Sequence, residues 1–385
     1  MAVLVVNAGS SSLKVAVFDD GLREVLAGRV TEIGGAARVE MGPLVGARVV
    51  PDHAAALALC FEAMEEAGVP VGSLRAAAHR VVHGGASLVA PCRVTEAVVA
   101  EVEACVPLAP LHNPANLTAI RALAWLVPEL PQFASFDTAF HATVPEVARR
   151  YALPAAAEAL GLRRYGFHGI SYASLVRKVQ EIGLMGVPDR ILAFHLGNGA
   201  SACGIVGGRS VATTMGYSPL DGLTMGTRTG EIDGNAVLRL AEVYGVAGAG
   251  RLLNRESGLL GLGGASDMRA LHRAAAGDGP AAEAARFALA HFCYWAVRHG
   301  GSLIAAMGGV DAVCFTGGIG ENDAAVRGEI LRGLRFAGVE FDEGANASGA
   351  AALHPEGARV AVWIVAAEEE RQIAIEAMHL MAGGA

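Results

Sequence analysis

Apolar residues alternate along two stretches half a chain apart, each interrupted by a glycine turn. Residues 3–18 read VLVVNAGSSSLKVAVF and residues 191–206 read ILAFHLGNGASACGIV, so Leu4 falls on Leu192, Asn7 on His195 and Gly9 on Gly197. An apolar run, a turn of small residues and a second alternating run predict a β-hairpin with little bulk at its tip. A single such turn need only reverse the chain. Its repetition predicts a duplicated α/β unit, with two hairpin tips whose N–H groups and hydroxyls form nests for an anion, one at each end of a cleft.

Between and after the hairpins, helical spacing is predicted at 53–68 and 95–106, flanking a strand at 75–83 that ends in HRVVHGG. Residues 108–117 read as a loop entering a helix, and 133–141 as a strand whose end carries Asp137. A helix is predicted over 143–163, then a loop and helix from 163, and a final helix from about Glu368. The glycine, threonine and methionine loop at 213–233 is too long to be a mere connection. Residues 312–322, AVCFTGGIGEN, predict a strand, a glycine turn and a helix start, which aims backbone N–H groups at a phosphate or ribose. Polar candidates thus collect at strand ends, where open α/β sheets bind ligands.

The length of 385 residues favours two domains. A chain that is 53% hydrophobic and 18% charged, with 50 glycines, is neither disordered nor collagenous. Residues 281–307 are apolar enough to resemble a membrane span, but Glu283, Arg286, His291 and Arg298 recur at helical intervals and predict a buried amphipathic helix. The start of the chain lacks the pattern of a signal peptide, which together with this reading predicts a cytoplasmic protein with no membrane partner. Six cysteines without CxxC spacing predict neither a zinc site nor a disulfide framework. A net charge of −8 without a basic cluster argues against nucleic acid. An anionic substrate must then be met by a few focused cations.

Eight ordered motifs supply them: NAGSSSLK at 7–14, HRVVHGG at 79–85, LHNPAN at 111–116, FDTAFH at 136–141, RYGFHGISY at 164–172, HLGNGAS at 195–201, MGTRTGEID at 225–233 and GGIGEN at 317–322. Nearly end to end, the chain resembles the acetate kinase family, short-chain acyl kinases of the actin, hexokinase and Hsp70 superfamily. The resemblance implies two duplicated actin-like (ribonuclease H-like) α/β domains with a nucleotide cleft between them. It places residues 1–149 with 371–385 in one domain and 150–370 in the other, and implies a homodimer joined through the second domain. The implied reaction is reversible transfer of the ATP γ-phosphoryl group to acetate, giving acetyl phosphate and ADP, with Mg2+, or alternatively Mn2+, as the cation.

By position, the resemblance assigns Arg80, Arg228, His168 and Asp137 to catalysis. A planar guanidinium suits phosphoryl oxygens, although a solvated arginine, a structural histidine and a capping aspartate are the plainer readings of such residues. A carboxylate substrate has no proton to lose at neutral pH, its reference pKa being ~4. Asp137 is therefore expected to orient Arg80 or metal-bound water rather than act as a base. Asn7 and Glu369 match the metal positions, within a run that reads EEE at 368–370 instead of the family's NEE. Lys14, His195, Leu196, Gly197, Asn198, Gly199, Asp267, Met268, Arg269, Gly318, Ile319, Gly320, Glu321 and Asn322 match the nucleotide positions. Val82, Leu111, Phe167 and Pro219 match the acyl pocket together with Arg80. Ala212 stands where the family's DTSMG stretch has aspartate. The alternatives are a propionate kinase, a non-catalytic nucleotide-binding relative and a polyphosphate hydrolase.

Overall fold

Apolar residues occupy both parities of the first strand because its sheet is covered on both faces. In the computed structural model, which describes residues 2–182 and 188–384, β1 spans Ala2–Gly9 and β2 spans Ser12–Asp19. Leu4, Val6 and Ala8 enter one apolar cluster with Leu57, Cys60 and Met64 of helix His53–Glu66 and Leu123 of helix Asn113–Leu126. Val3 and Val5 enter a second cluster with Ile373, Ala374 and Ala377 of helix Glu369–Met381. Successive side chains of a strand point to opposite faces, so both covers follow from one run of sequence.

This sheet continues with β3 (Glu24–Thr31), β4 (Gly35–Met41), β5 (Leu44–Val50), β6 (Leu74–Val81), β7 (Cys92–Arg93) and β8 (Gln132–Phe136). Its order is β5-β4-β3-β2-β1-β6-β8-β7. The second sheet holds β9 (Arg190–Leu196), β10 (Ala200–Val206), β11 (Arg209–Thr213), β12 (Ala312–Thr316) and β13 (Ala361–Ile364), in the order β11-β10-β9-β12-β13. The run β3-β2-β1-β6-β8 repeats that order and its directions: an antiparallel meander joined to two parallel strands. The duplication suggested by the two hairpins is a duplication of sheets, the actin-like α/β fold.

Helix Pro280–Met307 covers the second sheet closely enough that a Cβ on Gly300 would lie 3.0 Å from the Phe194 ring. One face of the helix is buried, while Phe287 and Tyr294 on the other are exposed. None of the described helices is long and apolar enough to cross a membrane.

Two compact units result, one of residues 1–140, 169–174 and 368–385, the other of 141–168 and 175–367. Within the second unit, His141 and Thr143 are hydrogen-bonded to Ser210. The predicted helix over 143–163 is corrected. Only Glu146–Arg149 and Ala155–Glu158 are α-helical there. Proline cannot continue a helix and pushes its predecessor to extended backbone, so Pro145 and Pro154 each begin a separate turn, and Arg150 instead bridges Arg163.

Candidate active site

Strand pairing gathers the motifs of the first unit. β1, β6 and β8 run parallel, with Val6 beside His79 and Arg80 beside Ser135, so Asn7, Arg80 and Asp137 all emerge at C-terminal strand ends. Arg80 donates from Nε to Asp137 Oδ1 at 3.1 Å and from a terminal nitrogen to Oδ2 at 2.7 Å, and its other terminal nitrogen lies 3.3 Å from Glu369. Burial opposes the Arg80 charge, but Asp137 and Glu369 outweigh it and hold the guanidinium protonated. Burial pushes the Asp137 carboxyl above the ordinary range, and Arg80 pulls against that rise. Asp137 therefore fixes the plane of Arg80.

The loop after Arg80 is held by the two asparagines of LHNPAN. Asn116 accepts from the Val82 N–H at 3.1 Å and donates to the Ala8 carbonyl at 2.9 Å, while Asn113 accepts from the His83 N–H. Neither was among the expected site residues; their presence inside a dense motif was the available signal. Val82 is half-buried and Leu111 is 41% exposed.

The run of three glutamates divides its work. Glu368 lies 3.7 Å from Arg371, Glu369 faces Arg80, and Glu370 pairs with Lys14 at 2.5 Å. Lys14 stands opposite Asn7 across β1 and β2, so the start of the last helix lies beside the Asn7 strand end. Asn7 and Glu369 offer a hard oxygen donor set with one carboxylate, which suits a magnesium ion that keeps several waters. Among the described residues no cluster of three or more histidine, cysteine or acidic side chains could form an all-protein metal cage.

In the second unit, β9 and β12 are parallel neighbours, with His195 beside Thr316. This puts the HLGNG tip against GGIGEN. Gly317, at φ 78°, packs on β9 so tightly that a Cβ would lie 2.8 Å from the Leu196 carbonyl oxygen. A cavity of about 960 Å3 opens there, lined by Gly197, Asn198, Asp267, Met268, Arg269, Gly318, Ile319 and Asn322 among others. It also includes His272 and Asp323, joined at 2.8 Å, which sequence reasoning missed. Asp267 caps the helix Met268–Ala275, accepting from the Ala270 N–H, and Met268 is buried. Leu196, Gly320 and Glu321 support the walls. Leu196 and Gly320 are buried, and Glu321 accepts from the N–H groups of Gly317 and Ala367. The N–H of Gly197 is spent inside its own tip, on the Gly199 carbonyl.

His168 occupies the left-handed region at φ 58°, uncommon for a residue with a side chain and typical of functional sites. Its Nδ1 meets Ser201 Oγ at 2.8 Å and its ring stacks on His195, centroids 4.1 Å apart. His141, the last residue of FDTAFH, donates from Nε2 to the Phe167 carbonyl at 2.9 Å and so fixes the residue before it. Phe167 itself is a core side chain, 1% exposed. Arg228 reaches the same place, since a Cβ on Gly199 would lie 3.4 Å from His168 Nε2 and 3.8 Å from an Arg228 terminal nitrogen. Arg228 is half-buried and donates to the Pro219 carbonyl at 3.2 Å, with no carboxylate partner among the described residues. Burial alone lowers its pKa. A desolvated guanidinium without a counterion is a prepared site for an anion.

A model of the acetokinase family matches residues 2–375. The chain belongs to the acetokinase family. It is similar to the acetate kinase of Leifsonia xyli, 44% identical over the full length of both chains, and to that of Streptomyces coelicolor, 42% identical over 98% of this chain and 97% of the other. Among solved structures, the Porphyromonas gingivalis acetate kinase superposes with a TM-score of 0.91 at 35% identity, over 99% of both chains. A propionate kinase from Francisella tularensis gives 0.92 at 33%, over 97% of this chain and 98% of the other. As a member of this family the chain is a kinase with a carboxylate acceptor. Ala212, where the family motif has aspartate, puts a methyl group on the wall of a second cavity of about 520 Å3, beside the Arg164–Asp221 pair.

Proposed function

We propose that this chain phosphorylates acetate reversibly with ATP. The acetate oxygen attacks the γ-phosphorus in line, the bond to the bridging oxygen breaks, and its electron pair leaves on ADP. The observation that carries this reading is Arg228, desolvated and, among the described residues, without a carboxylate partner, beside His168 and Gly199. Preorganised positive charge of this kind supplies most of the rate in phosphoryl transfer.

In the first unit, Asp137 orients Arg80 toward the acceptor carboxylate and the phosphoryl group, and takes no proton. His168, held by Ser201, donates to a phosphoryl oxygen as charge develops. Met268 and Ile319 pack the adenosine, and Val82 and Leu111 of the first unit bound the acyl group. Asn7 and Glu369 would hold Mg2+, which supplies charge neutralisation at the phosphates. The apolar side chains exposed in the second unit, Tyr244, Val246, Phe287 and Tyr294, support a homodimer joined there. Six free cysteines, five of them buried, suit a cytoplasmic enzyme.

Propionate is the second reading, favoured by the likeness to the Francisella propionate kinase. One methylene changes discrimination by only about 1 to 3 kcal/mol. Turnover of MgATP with formate, acetate, propionate and butyrate, trapping the acyl phosphate with hydroxylamine, tests the assignment. The highest kcat/KM with acetate supports it, and a propionate optimum moves it to the second reading. ATP loss without acid, or ATP binding without turnover, overturns both.

A further inference from the structure

The helix Pro280–Met307 carries Phe287, His291, Trp295 and His299 at four-residue steps, which puts them on one stripe. Their rings form a ladder, with successive centroids 5.9, 6.0 and 5.7 Å apart. The Trp295 indole nitrogen lies 3.0 Å from His291 Nε2, and His291 Nδ1 lies 3.0 Å from Thr224 Oγ1. An indole N–H can only donate. His291 Nε2 therefore accepts, the neutral ring keeps its proton on Nδ1, and that proton is donated to Thr224. Burial favours this neutral form.

Thr224 is buried and stands four residues before Arg228 in a segment, residues 214–233, that contains no helix or strand. Beyond Arg228, Glu231 lies 3.8 Å from Arg298, whose guanidinium stands over the Trp295 ring at 4.4 Å. Within the segment the Met225 N–H donates to the Arg228 carbonyl and the Glu231 N–H to the Gly222 carbonyl. Thr224 thus anchors the stretch that leads to Arg228 on a helix that is itself packed on the sheet.

We propose that His291 is a positioning residue: held in one tautomer by Trp295, it fixes Thr224 and thereby the placement of Arg228 for phosphoryl transfer. The inference rests on the proposed role of Arg228, so its test needs an arm independent of activity. That arm is amide hydrogen exchange over residues 222–231, with the indole proton of Trp295, assigned by Trp295→Phe, as a second signal.

In full-length protein, His291→Leu should lower kcat about tenfold or more through misplacement of Arg228, with the KM for ATP within about twofold. His291→Gln should restore most of the rate, because an amide can accept from the indole and donate to the threonine. Thr224→Val, which exchanges the hydroxyl for a methyl group of similar size, should match the leucine variant, and the double variant should be no worse than either. Exchange over 222–231 should speed up and the indole proton should shift in His291→Leu, and both should stay near wild type in His291→Gln. Unchanged kcat in both His291→Leu and Thr224→Val, or unchanged exchange in either, overturns the proposal. If His291→Leu does not fold, Thr224→Val decides by the same two readouts. If the wild-type protein forms no acyl phosphate, the functional reading fails by itself, and exchange over 222–231 then supports or overturns the clamp alone.

Discussion

Replacing Arg228 by alanine separates catalysis from folding. In the folded protein the side chain gives one hydrogen bond, to the Pro219 carbonyl, and no ion pair among the described residues. Loss of such a bond costs about 1 kcal/mol, and removing a half-buried charge without a counterion returns part of it. Arg228→Ala should therefore stay within about 1 kcal/mol of wild-type stability. The transition state loses a guanidinium aimed at the transferring group, for which positioned arginines supply about 10³ or more in rate, close to 4 kcal/mol. ATP binding, which uses the cavity around Met268 and Ile319, should change by less than about threefold because those contacts are untouched. The measurements are hydroxylamine trapping for kcat, calorimetric titration of ATP and thermal denaturation. Turnover within tenfold of wild type, or equal losses in turnover and ATP affinity, would refute the assignment.

Asp137→Asn leaves Arg80 with Glu369 as its partner, and breaking a buried pair from one side typically costs about 3 kcal/mol; denaturant unfolding should show a destabilisation near that size together with loss of turnover. Glu376 is held by Ser135 at 2.5 Å and Gln372 at 3.0 Å, yet burial raises its pKa above 4.5. Its neutral form suits the fold, so its contribution is fully present below the unfolded pKa and is lost as pH rises through the folded value. Glu376→Gln should remove that part of the slope, gaining on wild type as pH rises above the ordinary carboxylate range in urea titrations; parallel stability curves would count against it. Gly258 sits at φ 63° with the carbonyl oxygens of Met225 and Arg228 at 2.1 and 2.6 Å from where a Cβ would stand. Gly258→Ala should displace the Arg228 loop, with kcat falling more than ATP affinity, and wild-type kinetics would show that the loop tolerates the shift.

The two hairpins, the strand ends and the apolar helix 281–307 were legible in the sequence, because each depends on short-range periodicity and turn chemistry. It also carried the family, since eight motifs survive in order. The helix expected over 143–163 failed for a local reason, two prolines that interrupt an otherwise helical pattern.

Tertiary structure decided what no spacing contains. Parallel pairing of β6 and β8 brings Arg80 to Asp137, and packing of the last helix on the sheet adds Glu369. It also separates the three glutamates of one helix start, giving each a different cation. That Arg228 has no counterion among the described residues while Arg80 has two cannot be read from composition, because both are arginines in glycine-rich motifs. The difference lies in which carboxylates the folded chain carries within a few ångströms, and in how much water it leaves around each charge.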